Sequence, residues 1–259
     1  MNDNIESFAS QYTEVVTDCE RFAYLPRDID RQKESIKKLT ELLESSVEVH
    51  KSVIAEKDEE AANQLLVFRC MADSIRYNLK MWIDLKREDW EKAWDALVDA
   101  QEKAKSARAA HDISKDCNVD SYLERLENIE TNIFPPQNFN SPELIISKFS
   151  CSLCKQDYSE CGHIAGKPYW GVFCQKVPEE IVKMRAAALV DNPKDKKARM
   201  TEHVTDDGMV RDQMTWEKRE MDEDEAERYN DRSDEDFITQ GVLMTASDNS
   251  GDFSNYMPD

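Results

Sequence analysis

Apolar residues recur at alternating spacings of four and three through much of the first half of the chain. Ala61, Leu65, Phe68, Ala72, Ile75, Leu79 and Trp82 form the longest such series. That spacing places them on one face of a helix about six turns long. Trp90, Ala93, Leu97, Ala100, Ala104 and Ala107 make a second stripe. Ile36, Leu39, Leu43, Val47, His50 and Ile54 make a third, less regular one, and Tyr122, Leu126, Ile129 and Ile133 a short fourth. An isolated amphipathic helix is marginal in water, so each stripe needs a partner face.

The helix breakers agree with this pattern. No glycine precedes Gly162, and the 108 residues from Arg27 to Phe134 contain neither glycine nor proline. Breaks must then come from polar clusters: Glu56 to Glu60, Lys86 to Asp89, and Ser114 to Asn118. Asp89 is suited to cap the helix that starts at Trp90. A further helix is expected near Ile5 to Ala23, before Pro26. These elements predict an antiparallel bundle of four or five helices, or a long helical hairpin, over residues 1–134. Trp82, Trp90 and Trp94 bracket one interhelical turn and are expected in the core.

After Phe134-Pro135-Pro136 the texture changes. Residues 135–142 read as a linker. Leu144 to Phe149 and Tyr169 to Val177 read as strands, and Lys183 to Val190 as helix or buried strand. Lys197 to Thr205 and Met209 to Trp216 flank Asp206-Asp207-Gly208, a hairpin signal. Residues 143–217 are therefore expected to form a small β-rich domain, which makes the fold class α+β. From Lys218 onward the chain is acidic and poor in apolar residues, so 218–259 is expected to be a disordered tail.

Charge sharpens the division. The chain carries 34 basic and 54 acidic residues, net −20. Residues 1–134 have net −10, 135–217 net −1, and 218–259 net −9. A protein that coats duplex DNA through broad positive charge is disfavoured. No stretch reaches the roughly 18–20 apolar residues of a membrane span. Met1 to Ser10 lacks the features of a secretory leader. The expectation is a cytoplasmic protein with no membrane partner.

The candidate chemistry sits in the β-rich part. Cys151-x2-Cys154-x6-Cys161-x-His163-x10-Cys174 offers five soft donors within 24 residues. Cys-x2-Cys brings two thiolates to one ion from a tight turn, and Cys161 with His163 can complete a tetrahedron. Cys174 is an alternate to His163. One structural zinc ion is the expected cofactor; an iron–sulfur cluster or a redox pair of Cys151 and Cys154 are the alternatives. A closed four-ligand site leaves no position for a catalytic water. No nucleophile–base motif or phosphate-cradling glycine loop occurs, so no catalytic residue is assigned.

Two other groups bear on binding. Tyr169 and Trp170 could stack on nucleobases, although packing against the metal knuckle is the simpler role. Lys194, Lys196, Lys197 and Arg199 form a local basic cluster that could touch phosphate, or serve as a solvated turn or internal partner for the acidic tail. His50 reads as a packed core histidine.

The run from Cys161 to Cys174, C-x-H-x2-G-x2-Y-x-G-x2-C, together with Cys151-Ser152-Leu153-Cys154, resembles a short Cys/His module of uncharacterised bacterial and bacteriophage proteins, some linked to phage heads. Val190-Asp191-Asn192-Pro193 is similar to those proteins as well. The resemblance covers 24 residues and implies zinc binding and a bacterial or phage setting. The overall expectation is a non-enzymatic scaffold, adaptor or regulatory protein that binds other proteins and is a monomer or homodimer. The alternative is a nucleic-acid-binding zinc protein or an acidic DNA mimic.

Overall fold

A computed structural model describes residues 2–230. Five helices come first: α1 (Asp3–Glu20), α2 (Ile29–Ala55), α3 (Glu59–Lys86), α4 (Trp90–Ala110) and α5 (Val119–Ile133), with a 3-10 turn at Asp112–Ser114 between the last two. Short polar turns join α2 to α3 and α3 to α4, which makes them antiparallel neighbours. Aspartates start three of the helices. Asp28 accepts from the N–H groups of Asp30 and Arg31, Asp58 from Ala61, and Asp89 from Lys92. Each satisfies orphan donors of a first turn. With no glycine at hand, the α2–α3 and α3–α4 turns are closed by Lys57 and Glu88 at φ 58° and 61°. Such left-handed residues cost about 1–2 kcal/mol each.

Helix α3 is the centre of the bundle. Nineteen of its 28 residues are buried, so it is covered on most sides by α1, α2 and α4. The alanine stripe of α4 lets it approach closely enough for the Ser74 hydroxyl to donate to the Ala100 carbonyl at 2.5 Å. The expected stripes of α3 and α4 are the buried faces, except that Trp90, expected in the core, is only half-buried at the start of α4. That of α2 is rotated: Gln32, Ser35, Leu39, Leu42, Ser46, His50 and Val53 are buried, while Val47 is only half-buried. Polar Gln32 and Ser46 disguise this face in the sequence. Gln32 is buried because its amide donates to the Phe22 and Tyr24 carbonyls.

The remainder is β-structure built on the bundle. Strands β1 (Phe139–Cys151) and β4 (Lys176–Val190) form a long antiparallel ribbon. Between them, β2 (Pro168–Tyr169) and β3 (Val172–Phe173) make a minimal hairpin. Strands β5 (Glu202–Val204), β6 (Val210–Asp212) and β7 (Lys218–Arg219) form a small sheet, followed by α6 (Glu223–Asn230). The Asp206-Asp207-Gly208 turn joins β5 to β6 as expected, with Gly208 at φ 77°.

Three boundaries differ from expectation. Residues 139–142 are not linker but the first rungs of β1, because Phe139 is buried against Trp94 and pairs with Val190. Tyr169 to Val177 is not one strand: Trp170 and Gly171 turn the chain back, and β4 starts at Lys176. The segment expected as tail begins with β7 and α6; its residues 231–259 lie outside the described range.

The ribbon is fixed at both ends and open in the middle. At its base Phe139 packs on Trp94, which packs edge-on against Phe134. Backbone bonds from Asn140 to Ala198 and from Met200 to Asn138 brace this end. At its tip the β2–β3 hairpin meets α2 and α3. The two anchors lie at opposite ends of α3, whose 28 residues span about 42 Å. Thirteen residues of β1 reach about 43 Å, a matching length. Four register shifts between Glu143 and Phe149 bend the ribbon between its anchors. Every β4 residue from Lys176 to Leu189 is exposed.

Candidate metal centre

The tip of the ribbon is a knuckle that brings the sequence-predicted donors together. Cys151 ends β1. The chain turns at once, with the Lys155 N–H bonding to the Cys151 carbonyl at 3.0 Å and Lys155 itself at φ 60°. This returns Cys154 beside Cys151. A second turn places Cys161 and His163, whose backbone N–H donates to the Cys161 sulfur at 3.2 Å. One donor atom from each of Cys151, Cys154, Cys161 and His163 lies within 4.8 Å of all the others.

The spacing fits a single ion. A tetrahedron with bonds of about 2.0–2.3 Å has edges of about 3.5–3.8 Å. Cys154 Sγ is 3.4 Å from Cys161 Sγ. His163 Nδ1 is 3.2 Å from Cys161 Sγ and 3.7 Å from Cys151 Sγ. These four residues could therefore hold a metal ion, and all four positions would be filled by protein. Cys174 Sγ is 3.7 Å from Cys151 Sγ but stands outside the mutually close set. It is buried beside Cys151, in a small core with Leu153.

Electrostatics favour an ion there. Burial alone would raise the Cys151 thiol, but the backbone N–H groups of Cys154 and Leu153, with the Cys161 and Cys174 thiols, hold it down at about 6. Such N–H donors stabilise a thiolate. Cys174 moves the other way, pushed up to about 12 by burial and by the neighbouring Cys151 sulfur. A first thiolate thus opposes a second, and a bound cation removes that opposition.

Two tyrosines hold the knuckle's shape. The Tyr158 hydroxyl accepts from the Ala165 N–H at 2.8 Å, and the Tyr169 hydroxyl from the Ile164 N–H at 3.1 Å. The Tyr169 ring meets the His163 ring edge-on at 4.8 Å. Tyr169 is therefore part of the support of His163, not an open stacking platform.

The knuckle is latched to the bundle by the β2–β3 turn. Trp170 and Gly171 have φ values of 52° and 76°, the pattern of a type I′ hairpin turn. His50 Nε2 lies 2.7 Å from the Trp170 carbonyl, which makes it the N–H donor. The Gly171 N–H donates to the Asn63 side-chain carbonyl at 2.9 Å. A Cβ on Gly171 would stand 2.8 Å from His50 Nε2 and 2.9 Å from the Ala62 carbonyl, so only glycine fits this contact. Phe173 packs against the bundle core beside it. Burial holds His50 below the usual histidine range, against the pull of the Trp170 carbonyl.

No family model, curated protein or solved structure matches this chain. What the site does must be read from its own residues.

The latch escaped the sequence. His50 is buried as expected, but as a polar clamp for a residue 120 positions away. Asn63 carried no signal beyond a polar residue at the start of α3; Gly171, in a two-residue turn, carried the strongest.

The basic cluster is dispersed onto the bundle. Lys196 pairs with Glu130 at 2.7 Å, Lys197 with Asp99 at 2.6 Å, and Arg199 with Glu91 at 3.2 Å. The Lys196 carbonyl also accepts from the Trp94 indole at 2.9 Å. Lys194 alone of the four is exposed. The internal acidic partners of these cations are thus carboxylates of α4 and α5. Among the described residues no helix is long and apolar enough to cross a membrane.

Proposed function

We propose that this chain is a non-enzymatic, zinc-containing protein-interaction module of the scaffold or adaptor type. One observation carries the reading: three cysteines and a histidine that could hold one ion sit at the tip of an exposed ribbon, beside the Trp170–Gly171 turn that His50 and Asn63 tie to the helical bundle. Sulfur-rich tetrahedral donors suit zinc, which supplies fixed geometry without redox chemistry. Four protein donors leave no open position for a reacting water. The ion's work is then to hold shape, and what it holds in place is a surface. That surface is the ribbon, where Val182 and Met184 are each 60% exposed and Ile181 47%. Exposed apolar groups in a continuous run mark contact sites for other proteins.

A bacterial or phage assembly in the cytoplasm is the proposed setting, on the strength of the Cys151–Cys174 module alone. The nucleic-acid reading has less support, because three of its four cations already face carboxylates. Elemental analysis with a DNA-retention assay tests the choice. One zinc per chain and no salt-dependent retention on single-stranded DNA support the proposal. Retention that falls steeply with salt and is lost in Lys194→Ala, or iron in place of zinc, overturns it.

A further inference from the structure

The ribbon is a two-stranded sheet, so β4 pairs with β1 along one edge and with no strand along the other among the described residues. That strand is exposed at every residue from Lys176 to Leu189. It also carries an ordered charge pattern. Glu179 and Glu180 precede Ile181 and Val182, and Lys183 and Arg185 follow them. A strand that is acidic on one side of an apolar centre and basic on the other is complementary to itself when turned antiparallel.

We propose that two copies of this chain associate through β4, antiparallel, across a two-fold axis at Ile181–Val182. An axis at Val182 sets Glu179 of each copy opposite Arg185 of the other. An axis half a residue earlier sets Glu180 opposite Lys183. With the axis at Val182 the two copies of Val182 meet and Ile181 faces Lys183. With the axis between Ile181 and Val182, each Ile181 faces Val182 of the other copy. Either register gives opposite charges on both flanks. The ends of the contact are defined. Pro178 has no N–H to offer and stops the pairing on each side by symmetry. Glu179, Val182 and Arg185, which have no partner in the β1–β4 register, twist the edge, which suits one short closed pair over open-ended addition.

The charge of the whole molecule selects the same place. Two chains of net −20 repel each other over most of their surfaces. The ribbon is the exception: strands β1 and β4 carry Lys148, Lys176, Lys183 and Arg185 against Glu143, Glu179 and Glu180. It is the apolar, slightly basic surface of an acidic protein, and a second ribbon meets it without that repulsion. The charges involved are exposed and held only by surface contacts within the ribbon, such as Arg185 with Glu143 at 3.4 Å and Glu180 with the Ser147 hydroxyl at 2.6 Å.

The inference rests on the ribbon being a contact surface, as in the proposed function, and not on its metal. Sedimentation velocity of the full chain across a concentration series tests it by charge exchange. The wild type is expected to show a monomer–dimer equilibrium. E179K/E180K makes the 179–185 stretch wholly basic and K183E/R185E makes it wholly acidic, so each alone is expected to weaken the dimer at least tenfold. An equimolar mixture of the two variants is expected to restore it as a heterodimer, which a misfolded variant could not do. A wild type that stays monomeric at every concentration, or a dimer indifferent to both variants, overturns the inference. Zinc is counted on the same samples. A monomer with one zinc per chain sinks the pairing and leaves the zinc reading standing, and a charge-dependent dimer without zinc does the reverse.

Discussion

The helical bundle and the ribbon are held together by different physics. In the bundle, side chains such as Leu39, Leu65, Leu79 and Leu97 are at most 1% exposed, and each contributes about 1.5–3 kcal/mol through burial. Its stability is spread over many residues and two ends of every helix. The ribbon buries almost nothing between its ends. Its shape depends on Phe139 at the base and, at the tip, on a knuckle of four donors and a turn held by His50 and Asn63. A distributed core tolerates local damage; a strap pinned at two points does not.

The contrast can be broken most sharply at the metal. If the site holds one zinc, as proposed, Cys154→Ser is expected to reduce it from one per chain to none after dialysis, since structural sites of this type hold their ion by about 10–16 kcal/mol through their full donor set. Knuckle order goes with it, while the far-ultraviolet helical melt stays in place. A helical transition that falls with the zinc content would show that the two regions are one unit.

The next largest effect tests the bundle side. Trp94→Ala removes a ring that touches Phe134 and Phe139 and an indole that holds the Lys196 carbonyl. A loss of about 3–5 kcal/mol in chemical denaturation is expected, with zinc still bound.

A smaller change separates the tip from the metal. Gly171→Ala forces a Cβ to within 3 Å of His50 and the Ala62 carbonyl. The expected cost is about 1–3 kcal/mol, read as lost protection of the turn amides, with zinc stoichiometry unchanged.

Acidity acts on the same latch. His50 is held below its unfolded value of about 6.5. Below pH 6.5 the unlatched state therefore binds more protons than the latched one, and the latch weakens as pH falls from 6.5 toward the lowered value. His50→Gln keeps an N–H for the Trp170 carbonyl and is expected to flatten this slope. The slope is read from tryptophan fluorescence or amide exchange.

The smallest effect sharpens the comparison from the other side. Val182→Ser on the open strand is expected to change the stability of the monomer, measured at concentrations below self-association, by less than about 0.5 kcal/mol. A large loss in thermal unfolding would mean that the ribbon's middle is packed after all.

The same contrast governs how much could be read from the sequence. Local signals were legible. The stripe from Ala61 to Trp82, the cap at Asp89, the Asp206–Gly208 turn and the donors Cys151, Cys154, Cys161 and His163 each express their structure within a few residues. Long-range pairings were not. The start of β1, residues 139–142, reads as linker because nothing near Phe139 announces that Trp94 or Val190 will cover it. The basic run from Lys194 to Arg199 reads as a patch because Glu91, Asp99 and Glu130 are far away in sequence. The buried face of α2 is hidden by Gln32 and Ser46, polar residues that are buried because nearby carbonyls accept from them. Cys174 sits beside the site, a buried neighbour that spacing alone cannot separate from a ligand.

Amide hydrogen exchange of the native protein before and after chelation tests the central claim most directly. That claim is that a closed metal knuckle pins the ribbon's tip to an independently stable bundle. The account predicts that chelation exposes the amides from Cys151 to Cys174, including the Gly171 N–H held by Asn63, while those of α3 and α4 keep their protection. Unchanged protection at Gly171 without metal, or loss of protection in α3 together with the knuckle, would contradict it.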